Sequence, residues 1–132
     1  MLVIDDSSDD GSIDEVKRLY DGKARFFKTP GDGRLGPGAA RNIGIKNARA
    51  EWIAFLDADD EWHPEHLSQM SSLIQQFPEA SAFSCGRCIT GEGPDRLDTH
   101  TVRYARLGCH TIDFTEYMCR LSRSLAPVWT AV

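Results

Sequence analysis

At 132 residues the chain has the length of one domain, enough for a single hydrophobic core. Its 41% apolar and 27% charged residues are ordinary for a globular protein in water, and a net charge of -5 argues against a nucleic-acid surface. No apolar run approaches the roughly 18 residues that cross a bilayer, and the N-terminus lacks the basic region and apolar core of a signal peptide, so a cytoplasmic location is expected.

Residues 1–4 form an apolar run of the kind that makes a buried parallel strand. The run ends in Asp5, Asp6, Asp9 and Asp10, and ligand sites in open α/β sheets lie at the carboxyl ends of such strands. A solvated turn explains part of this, because Ser12 with Glu15 three residues on makes a capping box for the next helix. It does not explain two acids directly on the strand end.

Ile13, Val16, Leu19 and Tyr20 then recur at helical spacing, which predicts a short amphipathic helix over 13–20. "ARFFKT" (24–29) reads as a second strand, and the glycine- and proline-rich "PGDGRLGPG" as an irregular loop. "AARNIGIKNARA" restores helical spacing, and "EWIAFLDADD" is another apolar strand ending in acid. The order is an α/β alternation.

Pro64 suits the first turn of a helix whose Leu67, Met70, Ile74 and Phe77 share a face, and Pro78 ends it. "ASAFSCGRCI" (80–89) reads as a strand, 90–98 as a loop, "HTVRYAR" (100–106) as a strand and "IDFTEYMCRLS" (112–122) as a helix.

The cysteines, Cys85, Cys88, Cys109 and Cys119, read as reduced thiols in the absence of a secretory context. "CGRC" is followed by loop chemistry rather than by the helix of a thioredoxin-like site. With His63 and His66 of "HPEH" it offers a two-His, two-Cys zinc alternative. A strand over 80–89 sends Cys85 and Cys88 to opposite faces, which does not suit chelation.

Two parallel strands ending at one sheet edge, in Asp5-Asp6 and in Asp57-Ala58-Asp59-Asp60, would gather their acids around a cation. Few, hard oxygen ligands suit Mg²⁺ or Mn²⁺, which keeps positions for water and a substrate phosphate. In an extended segment Asp57 and Asp59 would face the same way.

"VIDDSSDDGS" followed by "GPGAARNIGIKNARAEWIAFLDADDEWHPEHL" closely resembles the nucleotide-binding half of family 2 inverting glycosyltransferases with the GT-A fold. The resemblance covers residues 1–70 and implies an open, mostly parallel sheet with flanking helices and a nucleotide-sugar donor, most often UDP-linked. By it, Asp6 would hydrogen-bond the base with Asp5 shaping that pocket, and Arg41 would lie near the base or the diphosphate. Asp57 would contact the ribose or sugar, and Asp59 would coordinate the divalent metal, Asp57 beside it. Arg41 pairing with an exposed acid and Asp60 capping a helix are the structural alternatives. Asp9 reads as a turn residue, Trp62 and Pro64 as packing and helix-start residues, and His63 and His66 as surface or capping groups.

Against the family pattern, the usual first strand, which ends in a Pro-x-Tyr-Asn-like stretch, does not precede residue 1. The later acid that serves as general base does not appear, and "IDFTEYM" reads as a capped helix, so neither Asp113 nor Glu116 is nominated. The expectation is one partial GT-A domain over 1–132, with the nucleotide-sugar and metal half at 1–70 and the start of an acceptor half at 71–132. It would transfer a sugar to an acceptor hydroxyl with inversion. The alternative is a truncated, non-catalytic nucleotide-binding or assembly domain. The missing strand lies centrally in the family's sheet, so a homodimer formed through the open edge is expected. A receiver domain also begins "MLVIDDSS"-like, but it needs a lysine at the end of its fifth strand, and every lysine here precedes Asp57.

Overall fold

The computed structural model describes residues 1–91 and 93–97. The strand expected at 100–106, the helix expected at 112–122, Asp113, Glu116, Cys109 and Cys119 lie outside the described residues. The chain divides into two units, Met1–Ile53 and a second beginning at Ala54.

The first unit contains β1 (Leu2–Asp5), α1 (Ser12–Leu19), β2 (Arg25–Lys28) and α2 (Pro37–Asn47). β1 and β2 pair in parallel, Leu2 against Arg25 through Asp5 against Lys28. A parallel pair needs a crossover, and α1 supplies it. The ladder extends one residue past the start of β1 and one past the end of β2: Arg25 N–H donates to Met1 O at 3.1 Å and Thr29 N–H to Asp5 O at 2.9 Å.

Three local starts and stops differ from the sequence expectation. α1 begins with Ser12 inside the helix and Gly11 at the N-cap in the left-handed region at φ 80°, so the Ser12–Glu15 capping box does not form. Asp10 takes over, accepting the Ser12 N–H at 3.0 Å and its hydroxyl at 2.6 Å. The helix also ends at Leu19, and Leu19 (54%) and Tyr20 (42%) are exposed, leaving Ile13 and Val16 as its half-buried side chains. α2 starts earlier than the apolar spacing suggests, because Pro37 occupies its first turn, where a missing N–H costs nothing.

α2 packs on β1. Gly44 faces the strand, and a Cβ there would stand 3.8 Å from Ile4 Cγ1. The far end of α2 is tied to β2, since Arg25 Nη2 donates to Asn47 O at 2.7 Å, a cation at the negative end of a helix. The Arg25 guanidinium also lies 5.8 Å from the centre of the Phe27 ring. Asn47 Nδ2 turns back to Ile43 O at 2.9 Å.

The expected hydrophobic core is not seen among the described residues, of which Thr29, 2% exposed, alone is buried. Val3, Ile4, Phe26 and Phe27 are half-buried. A two-stranded sheet of four-residue strands offers too little surface for opposing layers to enclose a side chain completely.

The strand expected at 51–60 is absent: residues 53–57 join no ladder, and 57–60 form a turn closed by Asp60 N–H to Asp57 O at 3.1 Å. Apolar composition marks a segment as fit for a sheet, but a strand also needs a partner with free backbone groups. Exposure still alternates here, with Ile53, Phe55 and Asp57 half-buried and Ala54 and Leu56 exposed.

α3 (His66–Gln76) begins two residues beyond Pro64, with Glu65 as its N-cap and Phe77 as its C-cap. Its half-buried face carries Met70, Leu73, Ile74 and Phe77, while Leu67 is 56% exposed. Of residues 80–89, Cys88–Ile89 form β3, paired antiparallel with β4 (Arg96–Leu97) inside the segment expected to be loop. Cys85 and Cys88 are exposed free thiols.

Gly44 sits in a helix interior, where glycine costs about 1 kcal/mol relative to alanine. Gly44→Ala places its methyl at ordinary contact distance from Ile4 and should raise the thermal midpoint by a few degrees. Gly44→Leu should lower it by forcing α2 away from β1. Thermal unfolding followed by circular dichroism checks both.

Candidate functional site

The acids after β1 do separate jobs. Asp5 Oδ1 accepts the Ser8 N–H at 2.9 Å. Its carboxyl is held below the usual 3.8, first by that backbone bond and then by the Ser8 side chain, with partial burial opposing and Lys28 assisting. Asp6 reaches further along the chain. Its Oδ1 accepts the Thr29 hydroxyl at 2.7 Å and the Leu35 N–H at 2.9 Å, and its Oδ2 accepts the Gly36 N–H at 2.7 Å. Those bonds also depress its carboxyl, with Thr29 contributing most and Leu35 next.

Two further contacts join the same segments. Asp9 Oδ1 lies 3.3 Å from Arg34 Nη2, an exposed pair worth little by itself. The Ser7 hydroxyl donates to Gly33 O at 3.4 Å. Ser7 holds φ 62°, a left-handed conformation costing an L-residue roughly 1–2 kcal/mol. The reversal sets Asp6 toward the loop and sends the chain on to Asp9.

The loop is shaped to receive these contacts. Gly36 has φ 86° and ψ 167°, a region essentially reserved for glycine, and this aims its N–H at Asp6. Its carbonyl then accepts the first helical bonds, from Ala39 at 3.1 Å and Ala40 at 3.3 Å. Arg41 follows in α2 as a half-buried side chain. Asp5, Asp6 and Arg41 therefore belong to one continuous device: strand end, acidic turn, glycine-bounded loop, helix.

Asp57 and Asp59 stand in the second unit, half-buried and exposed respectively. The turn at 57–60 replaces the extended backbone on which a common facing of the two carboxylates was expected. Aspartate favours turns because its side chain competes for nearby backbone donors. Asp60 does not cap α3, whose N-cap is Glu65. Among the described residues no three His, Cys, Asp or Glu side chains gather in one place, so His63, His66, Cys85 and Cys88 are not brought together as a two-His, two-Cys zinc site needs. His66 instead stacks on Trp62, ring centres 4.8 Å apart and planes 21° from parallel. His63 Nδ1 accepts the Glu65 N–H at 3.4 Å.

Sequence reasoning passed over Thr29, Arg34 and the Leu35 and Gly36 amides. The signal available was the pairing of an acid-rich turn with a glycine-rich loop, since backbone N–H groups in such a loop need acceptors.

The model of the Glycosyl transferase family 2 matches residues 1–125. The chain belongs to glycosyl transferase family 2. Among its relatives, the succinoglycan biosynthesis protein ExoW of Rhizobium meliloti is 41% identical over 126 residues, covering 94% of this chain and 36% of that protein. ExoO of the same organism, also a succinoglycan biosynthesis protein, is 41% identical over 70 residues, covering 53% of this chain and 20% of its own. An uncharacterized glycosyltransferase of Haemophilus influenzae is 42% identical over 78 residues, 58% of this chain and 30% of that one. The chain thus spans little more than a third, or less, of the length of these relatives. No solved structure matches. Family 2 membership carries the GT-A fold, and the parallel β1–β2 pair with its helices is an α/β piece consistent with it. No helix among the described residues is long and apolar enough to cross a membrane.

The depressed Asp6 carboxyl has a consequence for stability against pH. A carboxyl lowered by folding contributes stability in full above its ordinary value of 3.8 and loses it as pH falls through the folded value. Urea unfolding between pH 7 and pH 2.5 should show the midpoint falling below pH 4. In Asp6→Asn that acid dependence should be shallower, because one group fewer takes up a proton on unfolding.

Proposed function

We propose that this chain supplies the nucleotide-sugar half of a family 2 glycosyltransferase, taking a UDP-sugar with a divalent cation for inverting transfer to an acceptor hydroxyl. The observation that carries this reading is the continuous device of the first unit, in which an acid-ended parallel strand fastens the loop that opens the helix bearing Arg41. Asp5 and Asp6 serve the base pocket. Arg41 lies toward the base or diphosphate, Asp57 toward the ribose or sugar, and Asp59 with Asp57 holds the metal.

The donor set fits Mn²⁺ or Mg²⁺. These ions bind through one or two carboxylates and complete their shell with water and phosphate, so a turn bearing Asp57 and Asp59 suffices without a third protein ligand. When bound, the cation neutralises the leaving diphosphate as a Lewis acid. The chain's own groups bind and orient: carboxylates accept from the base and sugar, and the Arg41 guanidinium offers donors to oxygens.

The names of ExoW and ExoO tie those proteins to succinoglycan biosynthesis, which makes a saccharide the first acceptor class to try. Self-association accompanies this reading. Among the described residues β1 pairs with β2 alone, and an exposed strand edge recruits another strand.

Calorimetry with UDP tests the donor site. Binding should require Mn²⁺, disappear on chelation, and lose its metal-dependent part in Asp59→Ala. Equal affinity with and without chelator would refute the role given to Asp57 and Asp59.

A further inference from the structure

The second unit carries an aromatic pair to which the donor reading gives no task. Trp62 and His66 follow the turn at 57–60, their rings stacked with centres 4.8 Å apart and planes 21° from parallel. The backbone beneath them is set by short local bonds: His66 N–H donates to His63 O at 2.8 Å, and Gln69 N–H to Glu65 O at 2.9 Å as α3 begins. The imidazole therefore holds the indole on a fixed turn, and the cost of ordering that ring is met before any ligand arrives. Packing accounts for the stack but not for the polar edges of the two rings. Among the described residues neither the Trp62 indole N–H nor a ring nitrogen of His66 makes a hydrogen bond, and none of these atoms is enclosed away from solvent. Both side chains are half-buried, so a flat apolar body is combined with a polar edge open to water.

The surroundings narrow the ligand. Asp59, Asp60, Glu61 and Glu65 are exposed on either side of Trp62, so the stack sits among carboxylates. Carboxylates accept hydrogen bonds, while the indole N–H donates. A pyranose answers both features, with a face of C–H groups for the ring plane and a rim of hydroxyls for the donors and acceptors. It is also uncharged, whereas a free nucleotide would meet repulsion from the same acids.

We propose that the Trp62–His66 stack is the platform for a saccharide acceptor, with the C–H face of a pyranose against the indole and its hydroxyls on the indole N–H and the neighbouring carboxylates. Trp62 lies three residues beyond Asp59, a reach of at most about 11 Å, so a sugar on the platform stands beside the turn that bears Asp57 and Asp59. The role as acceptor platform rests on the donor reading above, while sugar binding by the stack is a property of the rings and their open edges.

NMR of the 132-residue chain with chelator present tests the platform apart from the donor. Methyl β-D-glucopyranoside and cellotriose, each at millimolar concentration, should shift the Trp62 indole N–H resonance. Saturation should pass from the aromatic protons of the protein to the ring C–H protons of the sugar. Sorbitol, which has the hydroxyls without the ring face, should do neither. Trp62→Phe keeps a stacking ring and loses the N–H, and should weaken cellotriose binding about fivefold, the loss of one hydrogen bond. Trp62→Ala should abolish saturation transfer, and where circular dichroism shows α3 lost in that variant, Trp62→Phe decides. An indole resonance unmoved by both sugars, moved equally by sorbitol, or moved by protein concentration alone would overturn the platform. So would uridine or tetramethylammonium shifting it where the sugars do not, or undiminished cellotriose binding in Trp62→Phe with no transfer to the sugar ring. UDP that fails to bind with Mn²⁺ while both sugars still shift Trp62 would defeat the donor reading and leave sugar binding by the stack standing; the reverse pattern would strike the platform alone.

Discussion

The first unit depends on one carboxylate. β1 and β2 are short, and the long glycine-rich connection to α2 has little apolar character with which to hold itself down. Asp6 reaches it by accepting from Leu35 and Gly36 while the Thr29 hydroxyl steadies the same oxygen that serves Leu35. Thr29 is held in turn by its own ladder bond to Asp5 O. Sheet end and helix start are thus linked through polar groups rather than through a core.

That polar arrangement explains how four acids are tolerated in six residues. Each of Asp5, Asp6 and Asp10 accepts from a backbone N–H, and Asp9 lies against Arg34. Charge-assisted bonds to amides are stronger than neutral ones and favour the ionised form of Asp5, Asp6 and Asp10. The density of acid at this strand end is therefore a structural investment as well as a chemical resource.

The far side of the sheet is organised by another polar tie. Arg25 on β2 holds the last turn of α2 by its Asn47 carbonyl, and Gly44 lets that helix lie close to Ile4. α2 is consequently fixed at both ends, by Asp6 through Gly36 and by Arg25 through Asn47. Arg41 lies between the two anchors, which is how a long side chain on a small unit acquires a defined position.

How much of this was legible beforehand varies from element to element. Apolar runs and helical spacing located β1, α1, β2, α2 and α3 to within a few residues, because strand and helix periodicities are local properties of the chain. The motif order from "VIDDSSDDGS" to "LDADDEWHP" pointed to the family that the comparison established. The strand expected at 51–60 did not appear, because pairing requires a partner that no local pattern supplies. The capping box gave way to Asp10 for a similar reason: Gly11 in the left-handed region moved the helix start by one residue, which handed the Ser12 N–H to a different acid. Sequence alone determined that acids would crowd the end of the first strand and that a flexible glycine loop would precede a helix with Arg41. Only the tertiary structure decided that Asp6, rather than its neighbour, closes that loop, because hydrogen bonds spanning 23 to 30 residues depend on where the backbone brings donors and acceptors together.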